Sequence, residues 1–175
     1  MGKIYLFSLL FVFLLLISFK NVYAQSSYVL PYPSFMPGNV LYKPHLFLEK
    51  ITKIWYFGSF GEYDYSLKES GSYLVEAKTL FNYKQYLLGY KALQKSDDYF
   101  VKIPQALLKA KNENKDIGQK EKALKEASLK HIEILSSVKL ELPKTFIWAP
   151  EKSSSTTLLL EDAVNKSIKI RENSL

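Results

Sequence analysis

The sequence predicts an all-α fold, an antiparallel bundle of about four to five helices that follows an extended N-terminal arm. Two observations lead to this prediction. Apolar residues recur every three or four positions through most of residues 40–172, which is the spacing of one face of a helix. No segment of that range shows the alternation typical of a half-buried strand, and only residues 28–32 are β-like.

The first 24 residues have the pattern of a secretory signal peptide. Lys3 precedes an apolar run over residues 4–19, and Val22 and Ala24 supply the small side chains that a signal peptidase accepts. The run is shorter than the ~20 residues that a membrane span usually needs. We therefore expect cleavage after Ala24 and a secreted or extracytoplasmic protein. A single-pass protein with an uncleaved anchor is the alternative.

Composition bounds the partners of the remaining chain. Cleavage would remove Lys3 and Lys20, so that two of the seven excess positive charges leave with the segment. The other basic residues are dispersed and include one arginine, Arg171, which argues against nucleic-acid binding. A weak attraction to anionic lipid or to a cell-surface polymer stays open. The chain has no cysteine, so its stability must come from packing.

Residues 25–39 form the predicted arm, which is rich in proline. Pro31, Pro33 and Pro37 fix the backbone and remove hydrogen-bond donors, so the segment is expected to be extended and irregular. Its apolar residues favour an arm that lies on the helical domain of residues 40–172. A peptide-like ligand for another protein is the alternative interpretation of the arm.

The first two helices are predicted from apolar stripes. The first begins near residues 40–44, and five of its apolar residues share one face: Phe47, Leu48, Ile51, Ile54 and Trp55. The glycines of residues 58–61 are expected to break it, and a second helix should cover residues 62–82. Ser70 and Gly71 could let another helix approach the second one closely.

The second half of the domain is expected to hold the other helices. A third helical stretch covers residues 83–112, with a kink or two helices meeting near residues 95–104, because residues 96–98 resemble a helix start and Pro104 lacks an N–H. A fourth helix covers residues 117–140, an apolar connector covers residues 143–150, and a last helix covers residues 157–171. Ser153 to Thr157 offer N-cap candidates. Three leucines are predicted to be core: Leu74, Leu124 and Leu135.

The order of several short motifs resembles a family of bacterial exported proteins, domain of unknown function 5667. Residues 37–42 (Pro-Gly-Asn-Val-Leu-Tyr) precede a helix that ends in Lys-Ile-Trp, and residues 73–80 (Tyr-Leu-Val-Glu-Ala-Lys-Thr-Leu) follow. Residues 130–135 (Lys-His-Ile-Glu-Ile-Leu) and 163–167 (Ala-Val-Asn-Lys-Ser) complete the order. The sequence departs from the family pattern at Tyr73, where arginine is usual, and at the glycines of residues 58–61. The resemblance spans about residues 30–172 and implies a helical, extracytoplasmic bacterial protein with no assigned activity.

The sequence predicts no catalytic, cofactor-binding or metal-binding residue. Two histidines without cysteine are too few for a typical zinc site. His131 lies on the apolar stripe of the fourth helix, so we expect it in or beside the core with one ring nitrogen hydrogen-bonded. His45 is interpreted as a surface or half-buried residue. Caps are the interpretation of four carboxylates: Asp97, Asp98, Glu161 and Asp162. The serines of residues 153–155 are interpreted as a linker and cap, and Asn165 to Ser167 as a glycosylation-like tripeptide within a helix.

The leading functional expectation is an exported, non-catalytic domain that binds or scaffolds at the cell envelope. Its partner would be an envelope protein or polymer, without nucleic acid or cofactor, and it would meet a membrane only through an uncleaved N-terminal segment. The alternatives are a membrane-anchored envelope protein whose helices pack on a partner and, third, an extracytoplasmic enzyme. Aromatic residues make up 15% of the chain, and an exposed aromatic groove would favour sugar or peptide binding over a role in the core.

Overall fold

The computed structural model of the protein describes residues 28–152 and 154–175. The predicted signal peptide and the start of the arm lie outside the described residues. Within the part that is described, no helix is both long enough and apolar enough to cross a membrane.

Among the described residues, five helices form the bundle and another helix of 11 residues lies on its surface. The surface helix is α1 (Tyr42–Thr52), which continues into a 3₁₀ turn over Lys53–Trp55. The bundle consists of α2 (Gly58–Asn82), α3 (Tyr86–Phe100), α4 (Lys102–Asn112), α5 (Gly118–Glu141) and α6 (Leu160–Glu172). An antiparallel pair of short strands, β1 (Thr145–Trp148) and β2 (Thr156–Leu159), joins α5 to α6. The predicted all-α bundle is confirmed.

The core divides along the length of α2 into two clusters of apolar side chains. The second half of α2 packs with α3, the end of α5, the hairpin and α6 around Leu74 and Leu135. The first half of α2 packs with α4 and the start of α5 around Phe100 and Leu124. The three leucines predicted to be core are buried.

The sequence suggested that the glycines of residues 58–61 separate α1 from a helix that starts at residue 62. Instead, α2 already begins at Gly58. Gly58 has a φ of +77°, which lets the chain turn sharply into the helix. A Cβ on Gly61 would lie 2.6 Å from the carbonyl carbon of Tyr56, so only glycine lets the incoming chain pass this close to α2. These glycines therefore permit the turn into α2 and do not end a helix.

The third predicted stretch is two helices, which confirms one of the two alternatives. α3 ends at Phe100, α4 begins at Lys102, and Pro104 lies in the first turn of α4, where its missing N–H is tolerated. The sequence suggested that Ser96 and Asp97 belong to a helix start. Instead, both lie in the last turns of α3, and their side chains point toward α6.

The hairpin corrects the prediction that the domain has no strand. Residues 143–150 were expected to be an irregular connector, and residue 157 was expected to begin a helix. Instead Phe146 pairs with Leu158 across the hairpin. Helix α6 begins at Leu160, three residues later than predicted, and no side chain of residues 154–157 caps it. The β-branched and aromatic residues here favour a strand, but four residues are too few for an alternating pattern to show.

The described part of the arm lies on α2. Leu30 and Met36 pack against the first of the two clusters, and Pro31 is so close to Gly71 that a Cβ there would lie 2.8 Å from the proline ring. Ser96 of α3 donates a hydrogen bond to the carbonyl oxygen of Ser70 at 2.8 Å. The small residues of α2 therefore admit the arm on one side and α3 on the other.

Candidate functional site

Helix α1 packs on the bundle with its polar side and not with its apolar stripe. Its polar side, with Tyr42 and Glu49, faces α2 and α3, and none of its residues is fully buried. The stripe that the sequence predicted as one face of a helix points away from the bundle. In most surface helices the apolar stripe faces the core, so this arrangement marks α1 as a candidate binding element.

Tyrosine hydroxyl groups hold the inner side of α1. The carboxylate of Glu49 accepts a hydrogen bond from Tyr73 of α2 at 2.9 Å and one from Tyr99 of α3 at 3.3 Å. Tyr73 and Tyr99 stack with an interplanar angle of 5°, which places both hydroxyl groups beneath the same carboxylate. At the start of α1, Tyr42 donates to Glu76 of α2 at 3.0 Å.

Burial and charge keep these tyrosines protonated. Burial raises the pKa of Tyr73 far above its ordinary value, and the negative charge of Glu49 raises it further. Burial also raises the pKa of Tyr99, although its hydrogen bond with Tyr65 acts in the opposite direction. Each hydroxyl therefore stays a hydrogen-bond donor across the physiological pH range.

A small acidic cavity of about 290 Å³ lies on one side of α1. Glu49, Glu69 and Glu76 line it together with Lys68. Burial raises the pKa of both Glu69 and Glu76, and the nearby carboxylate of Glu49 adds to both shifts. Among residues 28–152 and 154–175, no group of histidine, aspartate and glutamate side chains is arranged to hold a metal ion.

The outer side of α1 and its 3₁₀ turn form an exposed apolar surface, which we call the apolar face. Phe47 is 65% exposed, Ile54 75% and Trp55 79%. Leu48 and Ile51 complete the face, and Phe57, which follows the turn in sequence, is 85% exposed. Two aromatic rings, Phe47 and Trp55, are thus exposed on the outer side of α1 and its turn.

A wide groove of about 700 Å³ opens on the other side of α1, and we call it the lysine groove. Five lysines line it, three from α1 and the 3₁₀ turn and one each from α3 and α4: Lys43, Lys50, Lys53, Lys95 and Lys102. Its other lining residues include the tyrosines that bind Glu49, Asp98, and Phe47 of the apolar face. The dispersed lysines of the sequence are therefore locally concentrated here.

The most deeply buried polar residues lie in the bundle and form a network that the sequence did not reveal. The guanidinium of Arg171, the one arginine of the chain, has no exposed surface and forms an ion pair with Asp97. It also donates to Ser96 at 2.8 Å, while Ser167 donates to Asp97 at 2.7 Å. Burial lowers the pKa of Arg171 and the charge of Asp97 opposes that change.

His131 belongs to this network and is fully buried, as predicted. Its Nδ1 accepts a hydrogen bond from Nε of Arg171 at 3.4 Å, and its ring packs against Phe100. Burial and the neighbouring positive charge of Arg171 lower the pKa of His131 well below its ordinary value, so the imidazole is neutral. A neutral ring that accepts at Nδ1 carries its proton on Nε2, and this atom has no hydrogen-bond partner among the described residues.

The structure separates the other polar residues that the sequence singled out. His45 is half-buried at the start of α1, where its ring lies edge-on to Phe35. Asp98 is exposed in the lysine groove, whereas its neighbour Asp97 points into the bundle. Asn165 lies within α6, and the hydroxyl of Ser167 is buried. Glu161 and Asp162 lie in the first turn of α6, where they complement the helix dipole, and Ser153 lies outside the described residues.

No family model, curated protein or solved structure matches this chain.

Proposed function

We propose that the protein is a non-catalytic, exported helical domain that binds a membrane surface of the cell envelope through the apolar face of α1. The exposed apolar face supports this most directly. An apolar surface that the fold turns toward solvent costs solubility unless another apolar surface covers it in use. Burying each large apolar side chain of such a face contributes about 1.5–3 kcal/mol to binding.

The composition around the apolar face favours a membrane over a protein partner. Lys43, Lys50 and Lys53 border the apolar residues on the side of the lysine groove, while Glu49, which would repel an anionic surface, points inward. Trp55 and Phe57 lie at the end of the segment, and tryptophan is the residue that most favours the interface between lipid and water. Lysine on the flanks and aromatic residues on the apolar side are typical of helices that lie in the membrane plane.

A membrane-anchored form is the second candidate, and the short distance in sequence between the N-terminal apolar run and α1 supports it. Only residues 20–39 separate the apolar run of residues 4–19 from Val40, which lies just before α1. An uncleaved run would keep α1 near the bilayer, so the apolar face would then act as a second contact. The two candidates share the surface and differ in whether the N-terminal segment is retained.

Fluorescence of Trp55 tests the proposal. A chain that begins at Gln25, as expected after cleavage, and carries Trp148→Phe keeps Trp55 as its single tryptophan, since the sequence has two. We expect its emission to shift to shorter wavelength when vesicles of phosphatidylglycerol are added. The double variant Phe47→Ser/Ile54→Ser should need at least about ten times more lipid for the same shift, because two large apolar contacts are lost.

Leu108 and Leu140 provide the matched control. Both are exposed and lie outside α1, at 61% and 88% exposure. Leu108→Ser/Leu140→Ser also replaces two exposed apolar side chains with serine, as Phe47→Ser/Ile54→Ser does. We expect it to leave the lipid titration unchanged. An equal loss in both double variants would contradict a specific role for α1, as would the absence of any shift in the parent chain.

A further inference from the structure

The lysine groove has the features of a binding site for an anion, and its position suggests which anion. We infer that it holds the phosphate of an anionic membrane lipid while the acyl chains of that lipid lie against the apolar face. This inference rests on the proposed membrane binding and adds the class of lipid that is recognised.

The groove has a net positive charge that the protein does not neutralise. Five lysines line it, against Asp98 and Glu49. The carboxylate of Glu49 already accepts hydrogen bonds from Tyr73 and Tyr99, which draw it to the floor of the groove. None of the five lysines forms an ion pair with a carboxylate within the described ranges. Their ammonium groups are therefore available to an anion from outside.

Two of these ammonium groups are held in place before any ligand arrives. Nζ of Lys95 lies 4.7 Å from the centre of the Tyr73 ring, and Nζ of Lys102 lies 4.9 Å from the centre of the Tyr99 ring. A cation over an aromatic ring is attracted by the ring without losing its charge. Because these side chains are already restricted, less conformational entropy is lost when they bind an anion.

The groove and the apolar face meet at Phe47. This side chain lines the groove and is also 65% exposed on the outer side of α1. A ligand that filled both surfaces would carry a negative group next to an apolar chain, which is the structure of an anionic phospholipid. Lysine binds phosphate as a compact point charge and does not need the planar geometry that arginine offers.

The test compares lipid selectivity in matched variants. The chain that begins at Gln25 and carries Trp148→Phe is titrated with vesicles of phosphatidylglycerol and, separately, of phosphatidylcholine, and Trp55 emission gives the ratio of the two apparent affinities. We expect Lys95→Gln/Lys102→Gln to lower the preference for phosphatidylglycerol by roughly tenfold. Lys166→Gln/Lys169→Gln removes the same charge from exposed positions of α6 outside the groove and should leave the preference unchanged.

Each other outcome contradicts a defined part of the inference. Equal effects of the two lysine pairs would mean that only total charge matters and that the groove is no site. Binding of soluble glycerol phosphate in the absence of vesicles, with loss in Lys95→Gln/Lys102→Gln, would identify a free organophosphate as the ligand and overturn the lipid. A parent chain that binds both kinds of vesicle equally well would refute the groove inference alone, whereas a parent chain that binds neither would refute the proposed function.

Discussion

Two polar regions of this protein, one beneath α1 and one at the centre of the bundle, are held in different ways. In the bundle, Arg171, Asp97 and His131 are surrounded by packed helices, and Arg171 and His131 have no exposed surface. Beneath α1, Glu49 and the tyrosines connect the helix to the bundle, and no residue of α1 is fully buried. The first arrangement fixes the fold, whereas the second positions a surface helix without using its apolar side chains.

This difference explains why the apolar face is exposed. A helix held by its apolar stripe has no such surface left, but α1 is held by hydrogen bonds at its polar side. Hydrogen bonds of this kind contribute about 0.5–3 kcal/mol each, with those to a charged group at the upper end. Substitutions in the two polar regions should therefore differ in their effect on stability, with the larger loss in the bundle.

Removing Asp97 should have the largest effect. Asp97→Ala leaves the guanidinium of Arg171 buried without its ion-pair partner, and we expect a loss of about 3–5 kcal/mol in the free energy of unfolding. Urea denaturation followed by circular dichroism measures it. The neighbouring variant Asp98→Ala is the control, since that exposed side chain should change stability by less than about 0.5 kcal/mol. A loss below about 1 kcal/mol in Asp97→Ala would contradict a structural role of the buried pair.

The pH dependence of stability should show the burial of His131. Its pKa is lowered in the folded protein, so below pH ~6.5 the unfolded chain takes up a proton that the folded protein does not. Stability is therefore lost as the pH falls through ~6.5, by about 1.4 kcal/mol between pH ~7.5 and ~5.5 for a group that stays neutral when folded. Glu69 and Glu76, whose pKa is raised, act with the opposite sign, because the folded protein takes up their protons first as the pH falls.

A comparison with His131→Gln isolates the histidine, because both glutamates titrate in either protein. The difference in unfolding free energy between wild type and variant should shrink as the pH falls from ~7.5 to ~5.5 if His131 alone is responsible. A difference that stays constant over this range would mean that His131 can be protonated in the folded state.

Removing Glu49 should have the smallest effect on global stability. Glu49→Ala takes the acceptor from Tyr73 and Tyr99 but leaves both bundle clusters intact. Because α1 can detach locally and water can then accept from both hydroxyl groups, we expect a global loss of only about 1 kcal/mol. The effect should instead be local, with amide hydrogen exchange in residues 42–52 faster by roughly tenfold. Glu172→Ala, at the exposed end of α6, is the control and should not change exchange in α1. Unchanged exchange in both variants would show that other contacts hold α1.

The sequence predicted much of the fold because helix periodicity identifies the members of one face. The spacing of Leu74, Leu124, His131 and Leu135 correctly placed all four in the core. The same spacing identified the stripe of α1, but it could not tell whether that stripe faces the bundle or the solvent. That choice depends on Tyr73 and Tyr99, which come from other helices and bind Glu49 across 24 and 50 residues of sequence.

The other features that sequence reasoning missed have the same cause. Arg171 and Asp97 are 74 residues apart, and each has an unremarkable place in its own helix. The hairpin strands have four residues each, which is too short for an alternating pattern. The lysine groove collects residues of α1, α3 and α4 that are merely dispersed lysines along the chain. One signal was present in the sequence: Arg171 is the only arginine, and it lies on the stripe of α6 near Ile168.

The measurement that tests the membrane-binding account most directly compares the two tryptophans. Trp55 lies on the apolar face, at 79% exposure, and Trp148 lies on the hairpin, at 38% exposure. Two chains that begin at Gln25, Trp148→Phe and Trp55→Phe, each keep one of them and are mixed with vesicles of phosphatidylglycerol whose acyl chains carry bromine. We expect bromine to quench the emission of Trp55 strongly and to leave that of Trp148 nearly unchanged. Equal quenching of both tryptophans, or quenching of Trp148 alone, would contradict a membrane contact through α1.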